Sequence, residues 1–88
     1  MTKQEISNVL NQNAQQRSGI VNGIEFGVDQ GPFESSSSKY VAYILGNYNG
    51  DFFFDTLEEF LNGFCVNETP IGQLLSNITS FTVDNCDN

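Results

Sequence analysis

Leu57, Phe60, Leu61 and Phe64 stand at i, i+3, i+4 and i+7, with Cys65 at i+8, a spacing that stacks them on one face of an α-helix. A chain of 88 residues has to build its core around the bulkiest apolar face it owns. Fully burying each Leu or Phe contributes roughly 1.5–3 kcal/mol, so this helix must lie against another element. Its start is also marked: Asp55 or Thr56 is the cap, and Glu58 or Glu59, three residues on, closes a capping box. Cores do not divide at this length, so residues 1–88 are expected to form one domain. Cys65, as part of the stripe, reads as a small core residue.

The remaining elements fall around this helix. Thr2 and Glu5 have the capping-box spacing, and Ile6, Val9, Leu10 and Ala14 follow at helical intervals, giving a first helix over roughly 3–15 that Gly19 stops. Ile20, Ile24, Phe26 and Val28 share one parity, and Val21, Gly23, Glu25 and Gly27 the other. That alternation is a strand with one buried face, in which Asn22-Gly23 marks a bulge or tight turn. Residues 29–39, with Pro32 and four consecutive Ser, form a flexible polar loop. Tyr40 to Leu45 and Asp51 to Phe54 are two strands joined by a turn at Asn49-Gly50. Pro70 opens a short third helix carrying Ile71, Leu74, Leu75 and Ile78. Ser80 to Val83 is a last strand, and residues 84–88 are a polar tail. The order α-β-β-β-α-α-β gives an α+β fold: an antiparallel sheet of three to four strands with the helices packed on one face.

The chemistry is as informative for what it omits. The sequence contains no His, which removes Ser-His and Cys-His nucleophile pairs, an imidazole acid or base, and His metal ligands. Cys65 and Cys86 are too few for a disulfide framework or a zinc site. The run Asn47 to Asp51 does not make a calcium loop, because Leu45 stands where the first acidic ligand belongs and Thr56 where the closing Glu belongs. Glu58 and Glu59 in a first helical turn are accounted for by the helix dipole. No catalytic residue, metal or cofactor is therefore expected. No segment approaches the ~20 apolar residues that cross a bilayer, and Met1 to Glu5 does not resemble a signal peptide. A cytoplasmic protein with no membrane partner is expected.

Eleven acidic residues face three basic ones, for a net charge of −8. Such a chain repels phosphate backbones, so direct nucleic-acid binding is not expected. It is drawn instead to basic surfaces, including the nucleic-acid grooves of other proteins. Phe52, Phe53 and Phe54 are consecutive and Tyr40 and Tyr43 have opposite parity, so a sheet covered on one side leaves aromatics on the other, beside Glu25. Asp29 and Glu34 bracket the polar loop, Asp51 and Asp55 bracket the returning strand, and Glu58 and Glu59 continue from it. The expected contact set is thus Glu25, Asp29, Glu34, Asp51, Asp55, Glu58 and Glu59 with Tyr40, Tyr48 and Phe53. In it, carboxylates steer the encounter and aromatics hold it.

The order of elements is similar to that of the small acidic anti-CRISPR proteins with which phages block type II-A RNA-guided nucleases. The resemblance runs from the helix at Thr2 to Asn13, through strands at Ile20 to Val28 and Tyr40 to Leu45, to the Asn49-Gly50 hairpin. It continues with the Phe-rich helix at Leu57 to Phe64, the helix at Ile71 to Ile78 and the closing Ser80 to Val83. It implies a phage or mobile-element inhibitor, a DNA mimic whose carboxylates occupy a site that normally receives DNA on a basic nuclease or effector of the host cell. The residues leave two other readings open: an immunity protein that neutralises a basic toxin, and a small self-associating phage accessory module. They do not choose between monomer and homodimer.

Overall fold

The computed structural model describes residues 1–46 and 50–84. Tyr48 and Asn49 of the expected turn, and Cys86 with most of the tail, lie outside those residues. Helix α1 (Lys3–Leu10) leads into β1 (Gln16–Val21), β2 (Ile24–Gln30), β3 (Tyr40–Ile44) and β4 (Phe52–Phe54), then helix α2 (Leu57–Gly63). A two-residue hairpin, β5 (Cys65–Val66) and β6 (Thr69–Pro70), precedes two 3-10 turns and the final strand β7 (Ile78–Val83). The large sheet is five-stranded and antiparallel, in the order β4-β3-β2-β1-β7. The α+β class is as expected.

The sheet exceeds three to four strands because the stretch 20–28 is two strands, not one. Asn22 (φ 52°) and Gly23 (φ 77°) make a two-residue turn with both φ positive, the geometry whose twist suits a hairpin. Val21 then pairs with Ile24, so the buried parity switches at the turn: Arg17, Gly19 and Val21 face the core from β1, and Ile24, Phe26 and Val28 from β2. Ile20 therefore points to the other face, away from Phe26.

Both helices pack on this core face. Ile6, Val9 and Leu10 of α1 and Phe60 and Leu61 of α2 join Val21, Phe26, Val28, Ala42, Phe54 and Phe81 in one cluster. Gly19 is part of that packing and stops no helix, since a Cβ there would stand 2.5 Å from the Phe26 ring. Each helix begins with the expected capping box, Thr2 with Glu5 and Thr56 with Glu59. α1 ends at Leu10, short of residue 15, because Arg17 takes up its terminal carbonyls. Nε donates to Val9 O (3.0 Å), and Nη2 to Leu10 O (3.0 Å) and Gln12 O (2.7 Å). Among the described residues, no helix is long and apolar enough to cross a membrane.

Two expectations are corrected after α2. Cys65 is exposed: the helix ends at Gly63 and Phe64 is extended (φ −80°, ψ 113°), so strand alternation puts Phe64 and Val66 inside and Cys65 outside. The stretch Ile71 to Ile78 is a pair of 3-10 turns, Ile71–Gln73 and Leu75–Asn77, and Pro70 pairs with Cys65 in the small hairpin. Gly72 lies against α2, where a Cβ would come within 2.7 Å of Leu61 O, and Leu74 (φ −118°, ψ 20°) breaks the helical path.

The β5–β6 turn holds Asn67 (φ 51°) and Glu68 (φ 69°) in left-handed conformations. That region costs a side-chain-bearing residue about 1–2 kcal/mol. Glu68→Gly is therefore expected to raise stability by about 0.5–1 kcal/mol, after allowance for the extra freedom of Gly in the unfolded chain. A urea titration that shows no gain would mean the turn does not bear this strain.

Candidate binding face

The face away from the helices is built in cross-strand rows. Phe53, Val41, Asp29 and Gln16 lie side by side across β4, β3, β2 and β1. Tyr43, Gly27, Ser18 and Thr82 form the next row. Beyond them Leu45, whose N–H donates to Glu25 O at 2.9 Å, is followed by Glu25, Ile20 and Ser80.

The middle row is organised by a size mismatch. Gly27 stands opposite Tyr43, and a Cβ there would lie 2.6 Å from the tyrosine ring, so the ring crosses the sheet over the glycine. This sends the hydroxyl to Asp29, to whose Oδ1 it donates at 2.7 Å. Burial, that hydrogen bond, and the carboxylates of Asp29, Asp84 and Asp51 together push the Tyr43 pKa well above the usual phenol range, because each disfavours a phenolate. The hydroxyl stays a donor at neutral pH. Asp84 is fixed in turn by Ser18, whose Oγ donates to its Oδ1 at 2.6 Å.

Beside this acidic centre lies an aromatic edge. Asp29 and Gln30 complete β2, and the rest of the 29–39 loop forms a compact turn held by Gly31 N–H to Lys39 O (2.6 Å) and by a Phe33–Ser36 bridge. The turn sets Phe33 edge-on against Phe53, with centroids 5.6 Å apart and planes at 66°. Val41, although on this face, is only 7% exposed. The face thus combines a packed aromatic edge with carboxylates from β2, the residue before β4 and the end of β7.

Several expected contact residues meet here. Glu25, Asp29 and Phe53 lie in the rows, Asp51 is near enough to bear on Tyr43, and Glu34 is exposed in the turn beside Phe33. Tyr40 is a correction. It pairs with Phe54 on the helix-covered face, stacks on that ring at 5.1 Å, and donates its hydroxyl to Leu10 O at 3.1 Å. Tyr43 takes the corresponding place on the open face. The remaining acids gather at the start of α2 and have structural partners. Asp55 Oδ1 accepts from Lys39 N–H (2.9 Å), Glu59 Oε1 from Asp55 N–H (2.6 Å), and Glu58 pairs with Lys3 at 3.9 Å. With side chains more than 60% exposed, the last pair contributes little.

Tyr43, Asp84, Ser18 and Phe33 are the face residues that sequence reasoning missed. The available signal was Gly27, a glycine inside a strand, which often marks a close approach by another group. Comparison with protein-family models, curated proteins and solved structures finds no match to this chain.

Proposed function

We propose that the chain is a non-catalytic binding protein whose open sheet face docks on a basic surface of another protein. In this reading it occupies a nucleic-acid-binding site of a nuclease or effector in the host cell and so inhibits it, as a phage or mobile-element inhibitor of the anti-CRISPR or DNA-mimic kind does. The supporting observation is the juxtaposition on one face of the Phe33–Phe53 edge pair with Asp29, Asp51, Asp84 and Glu25. A net charge of −8 steers a cationic partner toward it, and the aromatic edge supplies apolar anchorage once the surfaces meet. The Tyr43–Asp29 hydrogen bond keeps one carboxylate in a fixed direction, so less ordering remains to be done on binding.

The test uses the full chain to capture its partner from lysate of the host cell, beside two variants. Reversal of charge in Asp51→Lys with Asp84→Lys should weaken retention roughly tenfold or more at low salt, because like charges then oppose. Phe53→Ala should weaken it with little dependence on salt, and duplex DNA should compete with the wild-type chain. Retention unaffected by all three would sink the proposal. A partner that proves to be a single toxin would select the immunity reading. A dimer in light scattering that Phe53→Ala dissociates would assign the face to self-association.

A further inference from the structure

At the end of the sheet where β1 turns into β2 there is an open cleft of about 520 Å³. Its walls are aliphatic, with Ile20, Ile24, Ile44, Leu45 and Val66 around one charged side chain, Glu25. The volume lies in the range of sites that bury a ligand group of several heavy atoms. Leu45 is 41% exposed, a large side chain left to water beside three partly exposed isoleucines. Two tight turns shape the rim, Asn22-Gly23 on one side and Asn67-Glu68 on the other, all four residues with positive φ.

The cleft continues past its carboxylate. Ile20, Glu25 and Leu45 also line an adjoining depression of about 190 Å³ that runs toward Ser18 and Ser80. Glu25 thus lines both hollows, together with Ile20 and Leu45, so a chain lying across them would pass it. From this geometry we infer that the cleft receives an amphipathic, cationic segment of the partner: a large apolar side chain fills the aliphatic pocket, and a neighbouring Lys or Arg reaches Glu25. The inference rests on the reading of the partner as basic and adds the kind of segment it presents. Charge decides the occupant. Glu25 is the charged group of the lining, and it lies in the field of a chain with net charge −8, so an acidic or anionic occupant is repelled. A second copy, equally acidic, is opposed by the same field.

The probe is the tetrapeptide Ac-Arg-Phe-Leu-Arg-NH2, titrated into the 15N-labelled full chain. Saturable amide shifts are expected at Ile20, Glu25, Leu45 and Val66. Binding should be at least about fivefold weaker for Ac-Glu-Phe-Leu-Glu-NH2 and for Ac-Arg-Gly-Ser-Arg-NH2, since each lacks one half of the recognition. Glu25→Gln should weaken the basic peptide about two- to fivefold, the scale of an exposed ion pair. In a Cys86→Ser background the peptide should also slow alkylation of Cys65, which lines the same cleft. Spectra of the free variants confirm that each is folded. Three outcomes overturn the inference: equal affinity for the acidic peptide, shifts spread over Asp51, Asp55 and Glu58 without saturation at the cleft, or cleft shifts produced by raising the protein concentration alone. Peptide binding and lysate capture fail independently. Loss of the first alone removes the cleft assignment, and loss of the second alone removes the macromolecular partner.

Discussion

Arg17→Met is expected to lower the stability of the domain by about 3–5 kcal/mol. Arg17 is 1% exposed, yet its guanidinium has a partner on nearly every side: the carbonyls of Val9, Leu10 and Gln12, Gln30 Oε1 at 3.1 Å, and the Tyr40 ring with its centroid at 5.5 Å. Methionine replaces the aliphatic stem and none of the donors. Leu10 O would then keep only the Tyr40 hydroxyl and Val9 O the Gln12 N–H at 3.3 Å, while Gln12 O and Gln30 Oε1 would lose the donor that Arg17 supplies. An orphaned buried group costs about 1–3 kcal/mol. Nη1 has no partner among the described residues, so the loss should stay below that of a fully engaged fork. Domains are stable by only about 5–15 kcal/mol in total, so the loss is a large share of what holds the fold. Arg17→Lys restores a point charge without the planar fork and should recover about half of the loss. Urea titrations of the three proteins measure the series. A Met variant as stable as the wild type would mean that packing alone holds this site, as happens for some buried ionic groups.

Phe60→Ala is expected to cost about 3–5 kcal/mol, the range for deleting a buried aromatic ring. Phe60 is fully buried and lies at the meeting point of the two layers, with ring centroids 4.9 Å from Phe54, 5.5 Å from Phe64 and 6.5 Å from Phe81. Removing it takes one member from a run of rings that joins α2 to β4 and β7. Each kcal/mol lowers the melting temperature of a domain this size by roughly 4–8 °C, so a fall of roughly 12–40 °C should appear by calorimetry or circular dichroism. Phe60→Leu keeps much of the volume and should lose far less. A fall of only a few degrees in the Ala variant would show that α2 is not the anchor its stripe implies.

Both helix starts were legible, because a capping box is a local device whose two partners are three residues apart. The α2 stripe was legible as far as Phe64 for the same reason. What misled was anything settled at a distance. The end of α1 depends on Arg17, which in the sequence is merely one of three bases. The Asn22-Gly23 turn was visible as a possibility, but alternation read straight through it put Ile20 on the face of Phe26. Tyr40 and Tyr43 could be told to face opposite ways, but which of them meets the helices depends on a register that pairs Tyr40 with Phe54. The makeup of the open sheet face was accordingly legible in Glu25, Asp29, Asp51 and Phe53, and hidden in Tyr43 and Asp84, whose places come from strands paired across the sheet.

The guanidinium at the end of α1 also bears on how the molecule opens. An isolated eight-residue helix does not persist in water, so α1 owes its existence to what it is fastened to. Arg17 belongs to β1, which pairs with both β2 and β7, and the Met1 ammonium is tied at 2.6 Å to Leu75 O just before β7. The N-terminal turns are therefore fastened at both ends to the sheet region, which opposes their fraying alone. α1 is thus expected to open with the sheet's cooperative unit, so that amides of α1 and β1 exchange with similar protection.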